Sequence, residues 1–313
     1  MSDLPPIEIA CDESGSDGEN LVAGNTDVFT HAGVRLAEAD AAAALAEVRA
    51  RVRSPATQYK ANHLLREKHR AVLVWVLSPE GPLAGRGRVH LMEKAYFLVG
   101  RLAEALGGDV RVLYGAARAA YEADGWPRFL HAANDLLRTR NRDEAAPEPV
   151  AAFYATLDSL GPLDALGGSR PLAEAYRERL RLTPPDPPAL DPLFPALART
   201  VAAWGEGGRK VDVVHHTQNA LTEERIARLR KDPGVPLGGL QFADPEADPR
   251  IQFADFLAGV ARKISSDELG GRGDPELTEL LRPYLDPASV WGDERSWGAL
   301  TGAATCSGTG RTP

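Results

Sequence analysis

An α/β fold is predicted, with five short strands, helices between and after them, and a long helical block separating the third strand from the fourth. Three observations carry this. Five segments have strand character and are punctuated by turn residues or by amphipathic helical patterns. The stretch from about 114 to 205 turns wholly helical, broken by proline-rich pieces. With 43% apolar residues in 313, the chain can also bury the core that a single domain over 5–295 needs.

The first strand is IEIACD, residues 7 to 12, where Ile7, Ile9 and Cys11 alternate with Glu8, Ala10 and Asp12. Ala10 makes both faces mostly apolar, which marks a central strand. The turn-rich GSDGEN follows, then DVFTHAGVRL (27 to 36) as a second strand, so the two form a hairpin with a long loop. Asp12 and Glu13 sit at the mouth of that loop. A helix is expected over AEADAAAALAEVRARVR, stopped by Pro55, and another over NHLLREKHRAVLVWVL. GRVHLMEKAYFLVGRLAEALGG reads as a third strand running into an amphipathic helix that Gly107 and Gly108 end. In the helical block, RLTPPDPPALDPLFPAL has the proline density of a polyproline-like connector. RKVDVVHH is the fourth strand, TEERIARLRK a helix opened by Thr222, and GGLQFAD the fifth strand. IQFADFLAGVARKISSDEL is the closing helix, and the tail at 300–313 is too poor in apolar residues to pack.

Composition excludes several classes. The net charge, 36 − 44 = −8, repels polyanions overall, so a nucleic-acid site requires a local basic patch. No apolar run approaches the roughly 18 to 20 residues that span a bilayer, and the N-terminus has no signal-like pattern, so no membrane partner and a cytoplasmic location are expected. Two cysteines, Cys11 and Cys306, are too few for a disulfide framework or a zinc site. GGRGD and GPLAGRG match neither a P-loop nor a dinucleotide turn.

The closing helix carries the chemistry. Between Ile251 and Ser266 it is apolar around most of its circumference, with one polar stripe of Gln252, Asp255, Gly259 and Arg262 on a single face. A carboxylate in a buried helix needs a partner. An ion pair is the ordinary solution; a metal ion is the sharper one, because Asp12 and Asp244 fall at comparable strand ends, where α/β sheets gather their sites. Carboxylates brought together suit Mg²⁺ or Mn²⁺.

Taken in order, IEIACDESGS, QYKANHLL, VHLMEKAYF, VVHHTQNALTEERI and DPEADPRIQFADFLAGVARK resemble the domain of unknown function 3800 family, which is similar to the ribonuclease H-like, or integrase-like, superfamily. The strongest signals are DESG at 12 to 15 and IQxADxLAG at 251 to 259. The resemblance implies a ribonuclease H-like five-stranded mixed sheet, three antiparallel strands followed by two parallel ones, flanked by helices and with the helical insertion between strands 3 and 4. It implies metal ligands at Asp12, Asp244 and Asp255, catalytic roles for Asp12, Glu13 and Asp255, and phosphate contacts from Lys60 and Lys94; the residues themselves add His216 as a candidate base or transition-metal donor and Gln252, on the polar stripe, as a candidate substrate contact. The activity implied is divalent-metal-dependent phosphodiester hydrolysis with Mg²⁺ or Mn²⁺, acting on a nucleic acid. The sequence departs from the pattern at two places: His216 stands where an acid is expected at the end of strand 4, and Gln58 where an acid is expected two residues before Lys60. An alternative is therefore a ribonuclease H-like protein whose acidic cluster has decayed and which serves as a binding or regulatory module.

Overall fold

The computed structural model describes residues 4–53, 59–139, 148–206 and 208–303. Its strands are β1 (Ile7–Ser14), β2 (Val28–Val34), β3 (Gly87–Glu93), β4 (Val211–His216) and β5 (Leu237–Ala243). They form one open mixed sheet in the order β3-β2-β1-β4-β5. β2 is antiparallel to β1 and to β3, whereas β4 is parallel to β1 and β5 to β4. The chain dictates this. The loop after β1 permits a hairpin, but β4 and β5 are reached through helices, and such crossovers return strands in parallel.

Thirteen α-helices appear among the described residues: α1 (Glu38–Val52), α2 (Ala61–Leu64), α3 (Arg70–Leu77), α4 (Lys94–Leu106), α5 (Val110–Ala120), α6 (Gly125–Leu137), α7 (Pro149–Leu160), α8 (Arg170–Leu182), α9 (Leu193–Trp204), α10 (Glu223–Lys231), α11 (Pro249–Leu269), α12 (Pro275–Leu281) and α13 (Glu294–Thr301). They divide between the two faces of the sheet. Ile7, Ile9 and Cys11 of β1 share a core with the insertion, α5 to α9, and with α4 and α10. Ala10 of β1 joins Ala32, Val34, Val89 and Leu91 in a second core under α1, α3 and α11. Ile9, Ala10 and Cys11 are all fully buried, which is the environment expected of a central strand.

Three expectations change in detail. The helix expected over residues 62–77 is two pieces, α2 and α3, separated by a 3₁₀ turn at Glu67–His69. Leu64 and Leu73 are both buried, yet they would lie on opposite sides of one continuous helix; the break lets both reach the core. The proline-rich connector is confined to residues 183–192, because α9 begins at Leu193 and tolerates Pro195 in its first turn, where no N–H is needed. The tail does not begin at 300: Asp293 caps α13 by accepting from Ser296 N, and Leu300 is buried. Residues after 303 lie outside the described ones, as do Pro55 and Gln58. No helix among the described residues is long and apolar enough to cross a membrane.

Candidate active site

β1 runs without a break through Asp12 and Glu13 to Ser14, so strand alternation sends the two acids to opposite faces. Asp12 takes the same face as Ala10, toward α11. It is only 3% exposed, and its Oδ1 accepts from the Glu13 backbone N–H at 2.8 Å. β4 lies parallel beside β1 and ends at His216, whose Nδ1 is 3.2 Å from Asp12 Oδ1. The hydrogen bond to Asp12 holds the His216 imidazole above its ordinary value.

α11 supplies the other wall. Its predicted stripe faces the end of β1: Arg262 Nε donates to Ser14 Oγ at 3.0 Å, and Gly259 leaves so little room that a Cβ there would stand 2.3 Å from Ala61 Cβ. That close approach brings α2 onto α11, where the Ala61 backbone N–H donates to Asp255 Oδ2 at 2.8 Å. Gln252 is buried and acts as a strut. Its Nε2 donates to the Pro245 carbonyl at 2.7 Å and its Oε1 accepts from Tyr59 N at 3.4 Å, which fixes the loops on both sides.

Asp12, Glu13, Tyr59, Lys60, His216, Pro245, Gln252 and Asp255 together line one cavity of about 220 Å³. Its electrostatics are those of crowded acids. Burial, and then the neighbouring Asp12 charge, push the Asp255 carboxyl up to about 6; the same two causes push Glu13 up to about 7. Lys60 is exposed at the rim, so one ammonium faces several carboxyl groups.

Two of the expected residues are not brought here. Asp244 follows β5 on the exposed outside of the turn, where its Oδ1 accepts from Thr217 Oγ1 at 3.2 Å, and it does not line the cavity. Lys94 opens α4 but is buried, with Nζ donating to Asp17 Oδ2 at 2.5 Å and Thr26 Oγ1 at 2.6 Å. It lines a separate, larger cavity of about 560 Å³ near β3. The loop between β1 and β2 folds over this lysine and neutralises it, which its sequence position at a helix start does not reveal.

The sequence reading also missed residues behind the site. On the face opposite Asp12, His31 and His215 are fully buried, with their Nε2 atoms 3.2 Å apart. Gln218 Nε2 donates to Glu13 Oε1. A signal for the histidines was present: both stand beside apolar residues in mostly buried strands.

The donor set around the cavity fits a hard or borderline divalent cation in kind, with two carboxylates and an imidazole held together against their own repulsion. Among the described residues, however, no group of three or more His, Cys, Asp or Glu side chains is already gathered to hold a metal ion. No family model, no curated protein and no solved structure matches the chain.

Proposed function

We propose that the chain is a divalent-metal-dependent phosphoryl-transfer protein of the ribonuclease H-like kind, cleaving phosphodiesters in a nucleic acid, and that it belongs with the domain of unknown function 3800 family. One observation carries the reading: Asp12 from the central strand and Asp255 from the closing helix face the same cavity, where burial first and the Asp12 charge second raise the Asp255 carboxyl. Proteins place unbalanced carboxyls together where a cation is to be held. The strand order β3-β2-β1-β4-β5, with β1 parallel to β4, supports the same fold reading.

Asp12 and Asp255 would hold Mg²⁺ or Mn²⁺, with His216 as a borderline donor that favours Mn²⁺. Such an ion, when bound, polarises the phosphate and lowers the pKa of an attacking water. The chain's own residues do the rest. Lys60 at the rim attracts the phosphate, Asp12 orients the His216 imidazole through Nδ1, and the Gln252 strut keeps both loops in place.

The test is cleavage of DNA and RNA by the purified protein with Mg²⁺ or Mn²⁺. Activity should disappear in Asp12→Ala and in Asp255→Ala, and activity unchanged in both would overturn the reading. A second reading, a binding or regulatory module with a decayed site, is favoured by the His216 contact with Asp12, which takes a carboxylate oxygen that a metal needs. Calorimetry separates the two: absence of Mn²⁺ binding below millimolar, with nucleic acid or protein still bound, selects the second.

A further inference from the structure

The geometry points to a second metal site on the opposite face of the sheet, in which His31, His215 and Glu13 take a transition-metal ion of the Zn²⁺ or Co²⁺ class. It does not rest on the phosphoryl-transfer reading: His31 and His215 lie on the other side of β1, and Glu13, which also lines the cavity at Asp12, has no part in that reading.

His215 Nδ1 lies 2.7 Å from the His216 carbonyl; a carbonyl only accepts, so this nitrogen carries the proton and Nε2 of the neutral ring is bare. His31 Nδ1 lies 2.8 Å from Thr200 Oγ1 on α9, a hydroxyl that can accept from it. Both rings are therefore oriented through Nδ1 by a neighbour, which is the arrangement that supports histidines bound to a metal through Nε2.

The two Nε2 atoms point at each other, 3.2 Å apart. With metal–nitrogen bonds of about 2.0 to 2.1 Å, that separation gives an N–metal–N angle of roughly 100°, close to tetrahedral. Glu13 supplies the third donor. Its Oε2 is buried without a hydrogen-bond partner and lies 3.9 Å from His215 Nε2. Ligation of one tetrahedral ion would set that distance near 3.3 Å, a movement of roughly 0.6 Å for a flexible carboxylate side chain. Glu13 and His215 are thus one short displacement from ligand separation, although no three such side chains are already gathered among the described residues. Imidazole nitrogens select Zn²⁺, Co²⁺ or Ni²⁺ over Mg²⁺, so this site and the cavity at Asp12 would prefer different metals. The site also ties β1, β2 and β4 together behind Asp12, and it is buried deeply enough that the ion would enter during folding.

The bland account is a plain N–H···N bond, with His31 Nε2 donating to His215 Nε2. The two accounts differ in the His31 tautomer, because a metal requires the His31 proton on Nδ1. The experiment refolds the full chain with Co²⁺ or Zn²⁺, removes free metal by gel filtration, and measures retained metal, the visible Co²⁺ spectrum and the histidine ¹⁵N shifts. Wild type and Asp12→Asn/Asp255→Asn should each retain about one Co²⁺ per chain. His31→Gln/His215→Gln should lose it, and in wild type with Zn²⁺ the two buried histidines should both become protonated at Nδ1 only. No retained Co²⁺ in wild type, equal retention in His31→Gln/His215→Gln, or retained metal with His31 still protonated at Nε2 would each overturn the site. The wild-type shifts decide even if the double variant does not fold. Loss of nucleic-acid cleavage alone leaves the inference standing.

Discussion

Asp255→Asn should make the protein more stable, a result that a purely structural carboxylate would not give. Burial and Asp12 raise the Asp255 carboxyl from the ordinary 3.8 to about 6. At neutral pH the folded protein therefore carries about 3 kcal/mol of unfavourable energy in that charge. Asparagine keeps an oxygen to accept from Ala61 N, now 2.8 Å from Asp255 Oδ2, and removes the charge. Because the amide nitrogen then needs a partner of its own, a gain of about 2 to 3 kcal/mol is expected.

The sign with pH follows from linkage. Between about 4 and 6 the native state holds a proton that the unfolded state has released, so wild-type stability falls as pH rises through that window and stays low above it. The variant lacks this fall. Urea melts in EDTA at a series of pH values should show its advantage near pH 7.5 and none below about pH 4. Glu13, raised to about 7, adds a similar fall to both proteins and cancels in the difference. Mn²⁺ at a hundred times its dissociation constant should then add about 2.7 kcal/mol to wild type and much less to the variant. A variant less stable than wild type in EDTA, or an equal Mn²⁺ effect on both, would refute the reasoning.

Gly259→Ala should destabilise, because its Cβ would stand 2.3 Å from Ala61 Cβ, where carbon atoms normally keep about 3.5 to 4.0 Å. Moving α2 away also breaks the Ala61–Asp255 bond, so a loss of about 2 to 4 kcal/mol and a Tm lower by roughly 4 to 8 °C are expected by calorimetry; an unchanged Tm would refute the close approach. Asp17→Ala leaves the buried Lys94 ammonium with its hydrogen bond to Thr26 and only the more distant Asp27 charge and should cost about 3 kcal/mol in denaturant melts, recovered in part when Lys94→Met is added. Neither change should alter Mn²⁺ binding, since Lys94 lines a different cavity from Asp12.

What could be read from the sequence was whatever a local period imposes. Alternation in IEIACD placed β1 at the centre of the sheet with Asp12 at its end, and the helical period placed Gln252, Asp255, Gly259 and Arg262 on one face, which is the face that meets β1 and α2. What could not be read depends on contacts between distant segments. Lys94 is buried against a loop whose Asp17, 77 residues earlier, accepts from its ammonium. Asp244 sits close in sequence to the acidic helix, but the turn after β5 directs it to Thr217, outside the cavity. His31 and His215 are 184 residues apart, and no local pattern announces that β1 will bring them within a hydrogen bond of each other.

The DE pair at residues 12 and 13 therefore has a stricter meaning than two acids at the end of a strand. Because β1 stays extended through both, the two side chains leave the backbone toward opposite faces, α11 and α9, although at this strand end Glu13 also reaches the cavity at Asp12. Asp12 meets His216 and the Asp255 cavity, while Glu13 turns toward His215, and β4 repeats the division by ending in His215 and His216. Adjacent residues on two parallel strands thus present one carboxylate and one imidazole to each side of the sheet. A change that slips β1 by one residue against β4 would exchange the two sets. The strand register, more than any single side chain, is what sets Asp12 beside His216 on one face and turns Glu13 toward His215 on the other.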